Sequence, residues 1–213
     1  SIDGLNYNNA GSHNALFRGK NHGPTLTAEQ ISAINAGTFD DLYIGDYWTR
    51  TITYSYTDPD DGDATKSATI TPVMRIADFD YLYRSGDDNH ILTKHGLIVV
   101  PDANLFTAQM NPTNDTTGAY AGSKMRTKYL ARAEAIFNEF FGAEHVVSYR
   151  GLLQNAVTNG KPSGVSWYDC KVELMSEPMV YGGFAFEPAN DGVNVPYRQT
   201  VLCKQLNLFR LRP

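Results

Sequence analysis

The spacing of apolar residues changes period several times along the chain. From Ser123 to Phe141 it is helical: Met125, Tyr129, Leu130, Ala133, Ile136, Phe137, Phe140 and Phe141 form one stripe, and Gly142 ends it. A shorter helix is predicted after Thr27-Ala-Glu-Gln30, which fits a capping box. Ile31 and Ile34 follow at helical spacing, and Gly37 can stop the helix in the left-handed conformation. Elsewhere the period is two. Arg50–Tyr56 and Ala68–Met74 are rich in β-branched and aromatic residues, and Asp58-Pro-Asp-Asp-Gly-Asp63 between them reads as a hairpin tip. Arg75–Tyr83 alternates after an irregularity near Ile76, and Ile91–Val100 reads as a buried strand ending at Pro101.

Beyond Gly142 the pattern predicts a short strand at His145–Tyr149, a helical turn at Gly151–Val157 and a loop through Gly160, Pro162 and Gly164. Strands near Cys170–Met175, Met179–Phe186 and Thr200–Phe209 complete the chain. Residues 1–24, rich in Asn, Gly and Ser, read as an extended arm or linker, and residues 25–213 as a single globular domain. Many short strands, one long helix and long loops add up to an α+β fold built mostly from antiparallel sheet. The irregular stretches concentrate between Asp102 and Tyr197, and such loops are where binding residues tend to collect.

Charge narrows the function classes. A net charge of −5 disfavours nucleic acid, because phosphate neutralisation needs clustered Lys and Arg. The densest basic run, Lys124 to Arg132, falls on the long helix and reads as its solvated face. No apolar run is long enough for membrane insertion, and the mostly polar first ten residues do not read as a signal peptide. Cys170 and Cys203 fall in predicted strands; two separate, reduced core thiols are favoured, with a disulfide open if those strands are neighbours.

No constellation announces catalysis. The Asp58–Asp63 cluster fails the twelve-residue calcium-loop pattern, since Gly62 stands where a ligand belongs. Asp87–His90 reads as a loop. Histidines 13, 22, 90, 95 and 145 make no zinc-type pair, so neither metal nor cofactor is expected. There is no nucleophile elbow, and Glu173 with Glu177 reads as a solvated strand face rather than a glycosidase pair. The one functional slant lies in the later loops. Trp167, Tyr168, Tyr181 and Tyr197, interspersed with Asn190, Asp191 and Arg198, are the candidate ligand-binding residues, because aromatic faces stack on sugars while amides and charges orient them. Core placement is the alternative for each aromatic.

Several motifs occur in order: Phe17-Arg-Gly-Lys-Asn21, Thr27–Gln30, Phe39-Asp-Asp-Leu-Tyr-Ile-Gly-Asp-Tyr-Trp48, Arg75–Tyr81 and Lys94–Asp102. Ser123–Met125 and Val172–Met179 join them. Together they resemble a domain of phage and prophage minor tail proteins of Gram-positive bacteria, over roughly residues 15 to 210, with the acidic hairpin at 57–67 as an insertion. The resemblance implies a tail-tip domain in the virion, made in the host cytoplasm. It implies a C-type-lectin-like arrangement, in which Leu42–Trp48 would pair with Val201–Phe209. The implied role is receptor binding or adhesion to a host cell-surface glycan or protein, without catalysis, alongside other tail protein subunits. A structural tail or baseplate module without ligand is the alternative, and a cell-wall polysaccharide hydrolase a more distant one.

Overall fold

Trp48 is fully buried, and the elements are arranged around it. The computed structural model describes residues 10–87, 90–182 and 204–211. Strands β1 (Tyr47–Thr49), β4 (Val73–Phe79) and β7 (Leu97–Pro101) form a three-stranded sheet in the order β1-β4-β7, antiparallel throughout. Trp48 lies opposite Met74 and Ile76 opposite Val99, so one face of the sheet carries the core. The irregularity expected near Ile76 is a bulge between Ile76 and Asp78, which re-aims the strand's last residues.

The acidic hairpin forms, but its second strand lies four residues earlier than the pattern predicts, and Val73–Met74 belong to β4. Strand β2 (Ile52–Asp58) pairs with β3 (Ala64–Ile70), from Ile52 opposite Ile70 to Asp58 opposite Ala64. Helices α1 (Ala10–His13) and α3 (Ala119–Gly122) are single turns, whereas α2 (Ala28–Ala36) carries the full capping box at Thr27 and Gln30 and ends at Gly37 in the left-handed conformation. The long helix begins differently from expectation. Met125–Tyr129 is a π-helical turn, and regular α-helix (α4) spans Leu130–Phe141. Tyr129, Leu130, Ala133, Ile136 and Phe140 are buried as the stripe requires, while Met125, Phe137 and Phe141 are half-buried at its margin. Ile136 and Phe140 meet Phe39, Leu42, Trp48, Met74 and Ile76 in one core cluster.

Helix and sheet are both present and the strand pairs are antiparallel, so the fold is α+β. Several boundaries differ from expectation. The run at 91–100 is split into β6 (His90–Ile91), which pairs with β5 (Gly86–Asp87), and β7, because Lys94 and His95 leave the sheet to meet Asp80 and solvent. Residues 151–170, expected as a helical turn and a loop, are a long hairpin of β8 (Tyr149–Thr158) and β9 (Lys161–Cys170). Its turn is Asn159-Gly160, both at positive φ, the pairing that two-residue hairpins favour. The strand placed at Cys170–Met175 stops at Cys170, and the one at 179–186 begins as a short helix, α5 (Glu177–Tyr181). Near the C-terminus, Asn207–Leu211 is helix α6, where a strand was expected. Accordingly β1 pairs with β4 and not with these residues, so the lectin-type pairing is not formed over 204–211; residues 201–203 lie outside the described residues.

Asp78 explains why α6 docks where it does. Its Oδ2 accepts hydrogen bonds from the Asn207 amide (2.9 Å) and from Asn207 Nδ2 (2.8 Å), across the core from β4. Burial pushes this carboxyl up to about 6, against the opposing pull of Asn207 and Lys204. The folded state therefore holds the proton more tightly than the unfolded chain. Stability from this group is complete below the unfolded pKa near 4 and is lost as pH rises towards about 6, by about 3 kcal/mol. Urea melts between pH 4 and pH 7 should show this decline in the native protein and a flatter profile in Asp78→Asn. Separately, Phe140→Ala should cost about 3–5 kcal/mol in the same melts, as truncation of a buried aromatic does.

Candidate ligand-binding site

Most motif residues turn out to face one another. Asp46 is completely buried and accepts five hydrogen bonds: from Arg18 Nε (3.1 Å) and Nη2, His22 Nε2 (3.0 Å), and the amides of Lys20 (2.8 Å) and Tyr43 (3.0 Å). Burial raises this carboxyl's pKa, but Arg18, His22 and the two amides outweigh it and hold it below the ordinary range. A relay continues from it. Trp48 Nε1 donates to Gln30 Oε1, Gln30 Nε2 donates to His22 Nδ1, and that places the imidazole proton on Nε2, facing Asp46. Arg75 reaches Asp102 through Nε and Nη2, donates to the Gly45 carbonyl and lies over the Tyr47 ring. Asp80 binds His95 Nδ1 and the Gly96 amide. These residues tie the arm at 17–23 and the sheet into one scaffold, and their polar groups are spent inside it.

Gly45 shows how tightly the arm is seated. Its φ is +84°, and a Cβ there would lie 2.3 Å from the Phe17 ring. Replacing Gly45 with Ala should therefore cost about 3 kcal/mol in a denaturant melt, combining left-handed strain with overpacking. Gly62→Ala, with a similar φ but open space around it, should cost only the backbone share.

The expected binding residues are not brought together. Trp167 and Tyr168 are adjacent on β9, opposite Leu152 and Gly151, so they point to opposite faces of the ribbon. Both are half-buried, and Arg126 lies over the Tyr168 ring at 4.8 Å. Tyr181 is 78% exposed on a separate element, α5, which packs against α6. Asn190, Asp191, Tyr197 and Arg198 lie outside the described residues. Glu173 is not solvated, as a strand face would be: it accepts from Tyr120 Oη and from Arg126 Nε (3.1 Å), while Glu177 starts α5 with its side chain exposed. Cys170, a buried free thiol, has its pKa pushed up to about 12, by burial first and then by Glu173, which keeps it protonated and unreactive.

An open cavity lies elsewhere, between the acidic hairpin tip and the long helix. It holds about 210 Å³ and is lined by Tyr56, Thr57, Asp58, Asp60, Phe106, Thr107, Tyr129 and Arg132 among others. The tip is docked rather than free. Asp60 accepts from Lys124 Nζ (2.7 Å) and Tyr129 Oη, Asp58 from Lys66 (2.7 Å), and Lys128 lies 3.6 Å from Asp63. Lys66 holds Asp58 below the ordinary carboxylate range, and Lys124 followed by Tyr129 does the same for Asp60. The π-turn makes this docking local, because Lys124, Lys128 and Tyr129 all belong to it or to its edge. Across the cavity the Arg132 guanidinium carbon lies 3.8 Å from the Tyr56 ring centroid and 4.7 Å from that of Phe106. Its Nε donates to Tyr54 Oη (3.0 Å).

No relative identifies the chain. No family model matches it, no curated protein matches it, and no solved structure matches it. Among the described residues no group of three or more His, Cys, Asp or Glu is placed to hold a metal ion, and no helix is long and apolar enough to cross a membrane. The sequence signal for the cavity was present in two places, the tyrosines on one face of β2 and the basic run of the helix. Only the docking of the hairpin on the helix shows that they meet.

Proposed function

We propose that this chain is a non-catalytic recognition domain of a phage tail, which attaches to a host surface component through the cavity between the acidic hairpin and α4. The cavity carries the reading: aromatic walls, hydroxyls, carboxylates and a guanidinium converge on one small concave space, the composition expected of a ligand site. Its volume is below the usual drug-sized range of about 300–1,000 Å³, so it suits one small unit of a larger surface polymer. The tail assignment rests on the order of the motifs. Those motifs form the scaffold, which fits a domain that keeps its frame and places recognition on an inserted hairpin. A receptor on the host cell surface and neighbouring tail subunits are the partners this reading implies, with the virion tail as its location.

Thr107 is exposed at the cavity rim, so Thr107→Trp should fill the space without disturbing the core. Labelled domain bound to a panel of Gram-positive cells should lose at least tenfold in attachment with this variant, at an unchanged melting temperature. Undiminished attachment would remove the cavity from the binding surface.

A further inference from the structure

The cations around the hairpin tip are not equivalent. Lys66 is held by Asp58 and Asp61, Lys124 by Asp60, and Lys128 by Asp63. Arg132 makes no direct carboxylate contact among the described residues, although its charge acts on Asp58 through space, and its one hydrogen bond there uses Nε. The guanidinium lies against the Tyr56 and Phe106 rings, Arg132 lines the cavity, and its two terminal nitrogens make no hydrogen bond among the described residues. A planar fork held rigid between aromatic rings loses little entropy on binding, and its geometry matches a carboxylate or phosphate two oxygens at a time. The nearby aspartates do not forbid an anion: Asp58, Asp60, Asp61 and Asp63 face Lys66, Lys124, Lys128 and Arg132, so the cluster is neutral as a whole. Their free lone pairs, with the Thr57 and Thr107 hydroxyls, are suited to accept hydrogen bonds from ligand hydroxyls.

We infer that the cavity binds an oxyanion on a small hydroxylated unit, with Arg132 as the anchor. The unit belongs to an acidic surface polymer, either a uronic-acid sugar, which presents a carboxylate, or a polyol phosphate, which presents a phosphodiester. This inference rests on the recognition reading above and specifies its ligand chemistry.

The test is titration of the purified chain, followed by NMR shift changes, with glucuronate, glycerol 1-phosphate and glucose in parallel. The native protein should bind at least one of the two anions and bind glucose at least tenfold more weakly. Whichever anion binds identifies the source. Arg132→Lys, which keeps the charge but removes the fork, should weaken anion binding about tenfold. Thr107→Glu, which adds a rim carboxylate without touching the Arg132 packing, should weaken it as well and leave the melting temperature unchanged. Equal binding of glucose and the anions, or anion binding indifferent to both variants, would overturn the oxyanion assignment. So would the absence of anion binding up to about 50 mM. Loss of cell attachment in Thr107→Trp alongside any of these results would leave the cavity as the attachment site and remove only its anionic ligand.

Discussion

The structure depends on a carboxylate taken out of water. Asp46 sits at zero exposure, and an isolated charge there would cost several kcal/mol. Arg18, His22 and two backbone amides surround it instead, and all but the Tyr43 amide come from the arm at residues 17–23. The arm therefore cannot leave without stranding the charge, and the sheet cannot close without the arm. The same need shapes the chain on either side. Phe39 and Asp41 adopt positive φ, a conformation costly for a phenylalanine, and the full burial of Phe39 against Phe79 at 5.0 Å offsets it. Gly45 leaves its side-chain space to the Phe17 ring of the arm.

Much of this was legible in local patterns. The capping box at Thr27, the acidic hairpin tip, the apolar stripe ending at Gly142 and the bulge after Ile76 each follow from a few neighbouring residues, and each formed, the first turn of the stripe as a π-turn. The failures have two physical sources. Asn159-Gly160 is a strong hairpin signal, but the mixed residues around it, half-buried on both faces, lack the alternation that marks a strand. At Asn207–Leu211, apolar residues that look like a strand are drawn into a helix by a tertiary bond to Asp78, which no local window contains.

The site was harder to read than the fold. Aromatic residues of the later loops were expected to gather, yet Trp167 and Tyr168 diverge across a ribbon and Tyr181 stands on another element. The residues that do converge, Tyr56, Phe106, Tyr129 and Arg132, come from a strand, a connection and a helix distant in sequence. A basic run on a helix reads as a solvated face, and here half of its charges instead meet aspartates of the hairpin tip. What the motifs contribute is a rigid frame, with its polar groups mutually satisfied. The acidic hairpin then adds a concave surface to that frame, with Arg132 in direct contact with no carboxylate among the described residues.

This division between frame and surface rests on Asp46 and Arg18 acting as one unit. A double-mutant cycle with Arg18→Met and Asp46→Asn, read by urea unfolding, measures that directly. A strongly coupled pair should show each single variant losing several kcal/mol and the double variant losing about 2 kcal/mol or more less than their sum. Additivity within about 0.5 kcal/mol would contradict the account, because the arm would then be held by something other than the buried charge.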